Sequence, residues 1–217
     1  MVMIKRQVCS RHKMAVGILT KENKMVSRFF LFILPLVLIP TNALCDQCVS
    51  GDCVNGSGTM KYSTGHTYTG EFKNGLRHGK AVMHMPGGRI LEGTWQNNEI
   101  IEGTLTFHDG TRYEGQWKFR EREGRGVLTF SDGRTYIGDF RSGQRHGQGT
   151  MVFPDGRKYV GDFNRGERTG RGTLTFPDGS VYEGEFQAGN RTGAGMMRFP
   201  DGRTQTGLFE NGVFLGK

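Results

Sequence analysis

The sequence predicts an all-β protein: an elongated, single-layer antiparallel sheet of stacked β-hairpins. Three observations predict it. A unit of 23 residues starts at Tyr136, again at Tyr159 and again at Tyr182, reading YIGDFRSGQRHGQGTMVFPDGRK and then close variants of itself. Aromatic and glycine residues alternate within each unit, the two-residue period of a strand face. Glycine supplies 35 of the 217 residues against only 6 prolines, and the glycines fall in register with the aromatics. That register favours ordered, turn-rich β structure over a low-complexity linker.

The chain opens on a leader. Phe29 to Ile39 reads FFLFILPLVLI, eleven apolar residues preceded by Lys24 and Arg28. A membrane-spanning helix needs about 20 such residues, so this run fits a secretory signal followed by cleavage after Ala43. Met25 begins a compact signal peptide over residues 25–43, which makes residues 1–24 an over-extended N-terminus. An uncleaved signal anchor is the alternative. Export places the protein in the periplasm or outside the cell, with N-terminal membrane anchoring as a variant of the same reading.

A Cys-rich lead-in, residues 44–54, follows the leader. Cys45, Cys48 and Cys53 sit together in CDQCVSGDC. In an oxidising compartment the first expectation is one disulfide and one odd thiol. Lipidation of Cys45 comes second, with Leu44 a poor fit before the cysteine. A zinc site with His66 as fourth ligand ranks third, at a spacing that matches no strong zinc pattern. Redox chemistry at Cys45-x-x-Cys48 ranks last, for want of a βαβ context.

The repeat array occupies residues 55–217. A half unit spans 55–65, full units start at Tyr68, Leu91, Tyr113, Tyr136, Tyr159 and Tyr182, and a closing half unit runs from Gln205 to Lys217. In Tyr136-Ile-Gly138-Asp-Phe140 one face reads aromatic, glycine, aromatic. Glycine between two rings leaves room for close approach of a neighbour. Ser142 to Gly147 reads as a glycine-rich loop. Thr150 to Phe153 reads as the second strand, and Pro154-Asp155-Gly156 turns the chain into the next unit. Stacking would then place each Tyr and Phe on its equivalent one unit along, and six units would extend roughly 60 Å. The unit from Leu91 departs most: it lacks the Tyr, is one residue short, and has Ile101 where a glycine belongs.

The recurring pattern Y-x-G-x-x-x-x-G-x-x-x-G-x-G-x-x-x-x-x-D-G resembles the MORN (membrane occupation and recognition nexus) family. The resemblance covers about residues 55–217. It implies a non-catalytic binding or scaffold role through protein–protein contacts, self-association into a homo-oligomer, or association with membranes and phospholipids. Some members carry a separate catalytic domain. Only about 55 residues lie outside the repeats here, mostly leader, so no enzymatic domain is expected.

The formal charge of +8 raises a nucleic-acid reading. Seven of the 29 basic residues precede Asp46, with Glu22 the one acid there, leaving 22 basic against 20 acidic residues in the rest. The basic-patch case therefore fails for the array, and no nucleic-acid partner is expected. His78 and His146 alternate with Thr169 and Thr192 at one position, which reads as a loop rather than a catalytic site. Asp109, Asp132, Asp155, Asp178 and Asp201 read as turn formers before glycine, too far apart to share an ion. Gly75 to Ala81 mimics a phosphate loop but lacks the Ser/Thr after Lys80. No cofactor, metal or catalytic residue is expected. Arg77, Arg145, Arg168 and Arg191 recur at one position, with Arg122 nearby in its unit. They form a candidate basic ridge for anionic lipid or an acidic partner, against the reading of a solvated edge that discourages aggregation. The identity of a protein partner is not legible.

Overall fold

The computed structural model describes residues 45–217. The over-extended N-terminus (1–24) and the signal peptide or anchor (25–43) lie outside the described residues. Sixteen antiparallel strands form one open sheet in which every strand pairs with its sequence neighbours. The described residues contain no α-helix, only a single 3-10 turn at Pro86–Gly88. Pairing begins inside the Cys-rich lead-in, where β1 (Gln47–Gly51) joins β2 (Gly56–Lys61).

One unit shows why the chain folds this way. Strand β9 (Thr135–Arg141) buries Tyr136, Gly138 and Phe140 on one face. It turns through Ser142 and Gly143 into β10 (Gln144–Val152). Both turn residues have positive φ, 48° and 76°, the two-residue connection whose twist matches that of the strands. The six residues expected as a loop are thus two residues of turn followed by strand. His146 and Arg145 lie in β10, not in a loop.

The surplus residues are absorbed by a bulge. His146 faces Asp139 and Gly149 faces Gly138, so Gly147 and Gln148 have no counterpart on β9. Gly147 takes φ 59°. The Asp139 carboxylate accepts the Gln148 amide at 3.4 Å. Asp162, Glu71 and Gln116 do the same for the amides of Arg171, Lys80 and Arg125. Bulges bend a strand and increase its twist. Repeated once per hairpin, they coil the sheet over its own aromatic face.

At the bend a row of glycines crosses the sheet. Paired residues run in unbroken register from Gly58 through Gly70, Ala81, Gly93, Gly103, Gly115 and Gly126. The row continues through Gly138, Gly149, Gly161, Gly172, Gly184 and Gly195 to Gly207. The rings of Tyr113, Tyr136, Tyr159 and Tyr182 lie on this row. A Cβ at Gly149 would fall 2.4 Å from the Tyr136 ring, and one at Gly161 would fall 2.6 Å from the Gly172 Cα. The Tyr136 hydroxyl then donates to the carbonyls of Asp139 (2.9 Å) and His146 (3.3 Å), tying the two sides of the bulge.

A single-layer sheet thus buries five of its six tyrosines completely. Tyr68, Tyr113, Tyr136, Tyr159 and Tyr182 are 0% exposed. Burial of a ring of this size is worth about 1.5–3 kcal/mol, and the array sums such terms between neighbours.

The rings do not stack on their own equivalents, as the repeat alone suggests. Each Tyr packs edge-on against the Phe of its own unit and the Phe of the next. Tyr136 lies 5.2 Å from Phe140 and 4.8 Å from Phe163, and Tyr159 lies 5.3 Å from Phe163 and 4.8 Å from Phe186. This zigzag runs unbroken from Trp117 to Phe214. A second, shorter run joins Phe72, Tyr68 and Trp95. The two are interrupted at Leu91, and the buried core divides into two clusters there, with Trp117 packed against both.

Candidate functional site

The arginines singled out by recurrence sit on the coiled aromatic face, and the bulge positions them there. Arg145 projects from β10 over three rings: Phe130 of the preceding unit at 5.4 Å, Tyr136 of its own at 5.8 Å and Phe163 of the next at 5.8 Å. Its guanidinium donates to the Gly166 carbonyl, while the Gly166 amide donates back to the Arg145 carbonyl at 2.9 Å. Arg168 with Gly189 and Arg191 with Gly212 repeat both bonds. Arg122 belongs to the same set, exchanging bonds with Gly143 and lying over Tyr113 and Phe140. Arg77 does so with Asn98, whose carbonyl accepts its Nη2 at 2.9 Å and whose side chain accepts its Nε at 3.3 Å.

Burial among rings lowers the guanidinium pKa of Arg122, Arg145, Arg168 and Arg191. Guanidinium tolerates this setting because it is planar and weakly hydrated and attracted to ring faces. Each arginine clamps one unit to the next. The edge position proposed from recurrence is a half-buried interface between units, with part of each donor set engaged inside the protein.

The other expected residues are structural in their contacts. Asp132, Asp155 and Asp201 accept the backbone amide two residues on and the Nε of Arg134, Arg157 and Arg203. Those backbone bonds come first among the causes that hold their carboxyls below the usual range. His66 Nδ1 lies 2.8 Å from Thr64 Oγ1 at a turn. No group of three or more His, Cys, Asp or Glu among the described residues is arranged to hold a metal ion. Cys48 and Cys53 are joined by a disulfide, and Cys53 is buried in the smaller core cluster. No described cysteine is a free thiol, so the odd thiol expected from the count is not found.

The opposite face of the sheet is open. Ile137 and Val160 are 51% and 43% exposed. They pair across Thr150, with Val127 and Thr173 on either side, as one strip of β-branched residues. Charged and polar pairs flank the strip: Arg125 with Asp139 at 2.9 Å, and Gln148 with Asp162. A depression of about 540 Å³ lies along it, lined by Val160, Thr173 and Met196 with Arg171 and Glu183.

A model of the MORN repeat matches residues 68–88, 113–133, 136–156, 159–181 and 182–202. The chain belongs to the MORN repeat family. The unit from Leu91 falls outside the matched segments, although it forms the same hairpin, β5 (Arg89–Gln96) with β6 (Glu99–Thr106). Compared with curated proteins, this MORN chain has no match in sequence.

Among solved structures, the G-box domain of the microcephaly protein CPAP aligns with 76% of this chain and 99% of its own, at 18% identity and a TM-score of 0.44. The TCP10 domain of Danio rerio CPAP, solved in complex with a peptide of Danio rerio STIL, aligns with 75% of this chain and 82% of its own, at 18% identity and a TM-score of 0.35.

Proposed function

We propose that this MORN array is a non-catalytic binding scaffold of the cell envelope, and that its open face is the surface that meets a protein partner. One observation carries the reading: Ile137 and Val160 are exposed and lie in one cross-strand row with Val127, Thr150 and Thr173 over three units, while most of the aromatic face is taken up by inter-unit packing. A row of β-branched side chains with a charged border suits a protein interface. Ladder hydrogen bonds hold its backbone rigid, so little ordering is lost on binding.

Anionic lipid is the weaker reading, because the arginines that suggested it already spend donors on neighbouring carbonyls. Placement in the envelope draws its support from the apolar run and the Ala43 junction of the leader. Intact mass and N-terminal sequencing of the native protein test it, with an N-terminus at Leu44 expected.

The interaction test is quantitative affinity capture with the wild-type chain and with Ile137→Lys/Val160→Lys. Both positions face solvent, so the fold should survive, as circular dichroism will show. Proteins captured by the wild type and lost with the variant support the reading. Equal capture by both removes the open face from consideration.

A further inference from the structure

The array departs most from its regular pattern at Leu91, and a cavity lies there. We propose that this cavity is a binding pocket for a small amphiphilic anion, a compact apolar body carrying one carboxylate-like head group.

Two substitutions open it. In a regular unit the tyrosine lies on the glycine row and the arginine nine residues later covers three rings. Here the tyrosine is Leu91 and the arginine is Ile100. Ile100 bends inward: its Cδ1 would lie 3.0 Å from a Cβ at either Gly93 or Gly103, filling the place a tyrosine ring takes elsewhere. No guanidinium then covers the three positions that an arginine would bridge, namely Met85, Leu91 and Trp117. All three line a cavity of about 560 Å³, with Met83, Trp95 and Ile100 completing its apolar floor. Among the described residues, the paired inter-unit bonds formed by Arg77 and Arg122 have no counterpart at Ile100.

Its charged lining is cationic: Arg77, Arg89 and Arg120 reach the rim, and no carboxylate is among the lining residues. Glu99 pairs with Arg120 at 3.6 Å, Arg77 donates to Asn98, and Arg89 donates weakly to the Pro86 carbonyl at 3.5 Å. An apolar floor under cations that retain unused donors selects an apolar body with an anionic head.

Its lining runs from Tyr62 to Arg120, with the bonded pair Arg77 and Asn98 in its wall. A volume of about 560 Å³ is that of a small-molecule site, so a compact amphiphile fits it better than a protein segment. The proposal stands apart from the partner surface above, which lies on the opposite face.

The chain's two tryptophans both line this pocket, so selectively excited tryptophan fluorescence reports on it. Titration of the full chain with decanoate below its micellar concentration is expected to change that fluorescence saturably. Decyltrimethylammonium, with the same chain and the opposite charge, is expected to bind at least about tenfold more weakly. The double variant Leu91→Tyr/Ile100→Arg restores the ring and the guanidinium of a regular unit, keeps both tryptophans, and should lose decanoate binding. Arg89→Glu, on the exposed rim, guards against misfolding of the double variant and should weaken decanoate while sparing decanol. Absence of a saturable change overturns the proposal, as does equal binding of the two charges. Tighter binding of a short Phe- and Glu-rich peptide than of decanoate overturns it in favour of a protein ligand.

Discussion

Arg145 and Gly166 exchange hydrogen bonds across 21 residues of chain: the glycine amide donates to the arginine carbonyl and the guanidinium donates to the glycine carbonyl. The pair joins one hairpin's strand to the next hairpin's turn. Four further pairs along the sheet make the same join.

Removing one clamp should therefore cost more than removing a surface charge. Arg168→Ala gives up a charge-assisted bond and contacts with Phe153, Tyr159 and Phe186. The expected loss is about 2–3 kcal/mol, measured by urea denaturation. Arg168→Lys should recover less than half of it, since an ammonium cannot both lie over the rings and reach the carbonyl in the same way.

Glycines in the row and glycines in the turns should respond differently to alanine. At Gly161 the new methyl meets the Gly172 backbone at 2.6 Å, a clash that cannot relax without parting the strands. We expect a loss of about 2–3 kcal/mol. At Gly143 nothing lies within 4 Å, and only the positive φ of 76° opposes the change. A loss of about 1 kcal/mol is expected there. Comparison of the two midpoints at equal slope decides it.

The six tyrosines should resist ionisation. Burial raises all six, and Tyr68, Tyr113, Tyr136 and Tyr159 are pushed up to about 12. The folded values exceed the unfolded value near 10. The stability they contribute is then complete below about pH 10 and is lost as pH rises toward about 12. Tyrosinate absorbance should appear together with loss of β-sheet dichroism. Tyrosinate forming near pH 10 in an intact sheet would contradict this.

Reduction of the Cys48–Cys53 disulfide should act locally. The bridge secures β1, the first strand of the sheet, beside a core cluster that lacks the regular aromatic zigzag. Amide exchange in β1 and β2 is expected to accelerate by about tenfold or more on reduction, with β9 and β10 unchanged. Uniform acceleration along the array would mean that the sheet unfolds as one unit.

Much of this architecture is written locally. Tyr136-x-Gly138-x-Phe140 declares a strand and its buried face through a two-residue period, and Asp155-Gly156 declares its turn through backbone preference. Both signals act within a few residues, so they are readable in order along the chain. The bulge was not readable: Gly143 to Gly147 looks like a loop by composition, and only pairing with Asp139 shows that it is strand. Recurrence finds the arginines but suggests an edge, because a repeat shows that a residue is needed without showing what it touches. Arg122 occupies the same place in its unit as the other four.

The sequence by itself determined the all-β hairpin array, its unit length and the strand face each ring occupies, since those depend on chirality, alternation and turn chemistry within one unit. Tertiary structure decided the contacts between units: Tyr against the next Phe, Arg145 on Gly166, and a row of thirteen glycines and Ala81 drawn together from fourteen strands. Those contacts join residues about one unit apart, and their geometry follows from how tightly each bulge coils the sheet. The pocket at Leu91 arises in the same way, from two substitutions that only the coiled sheet brings over one another.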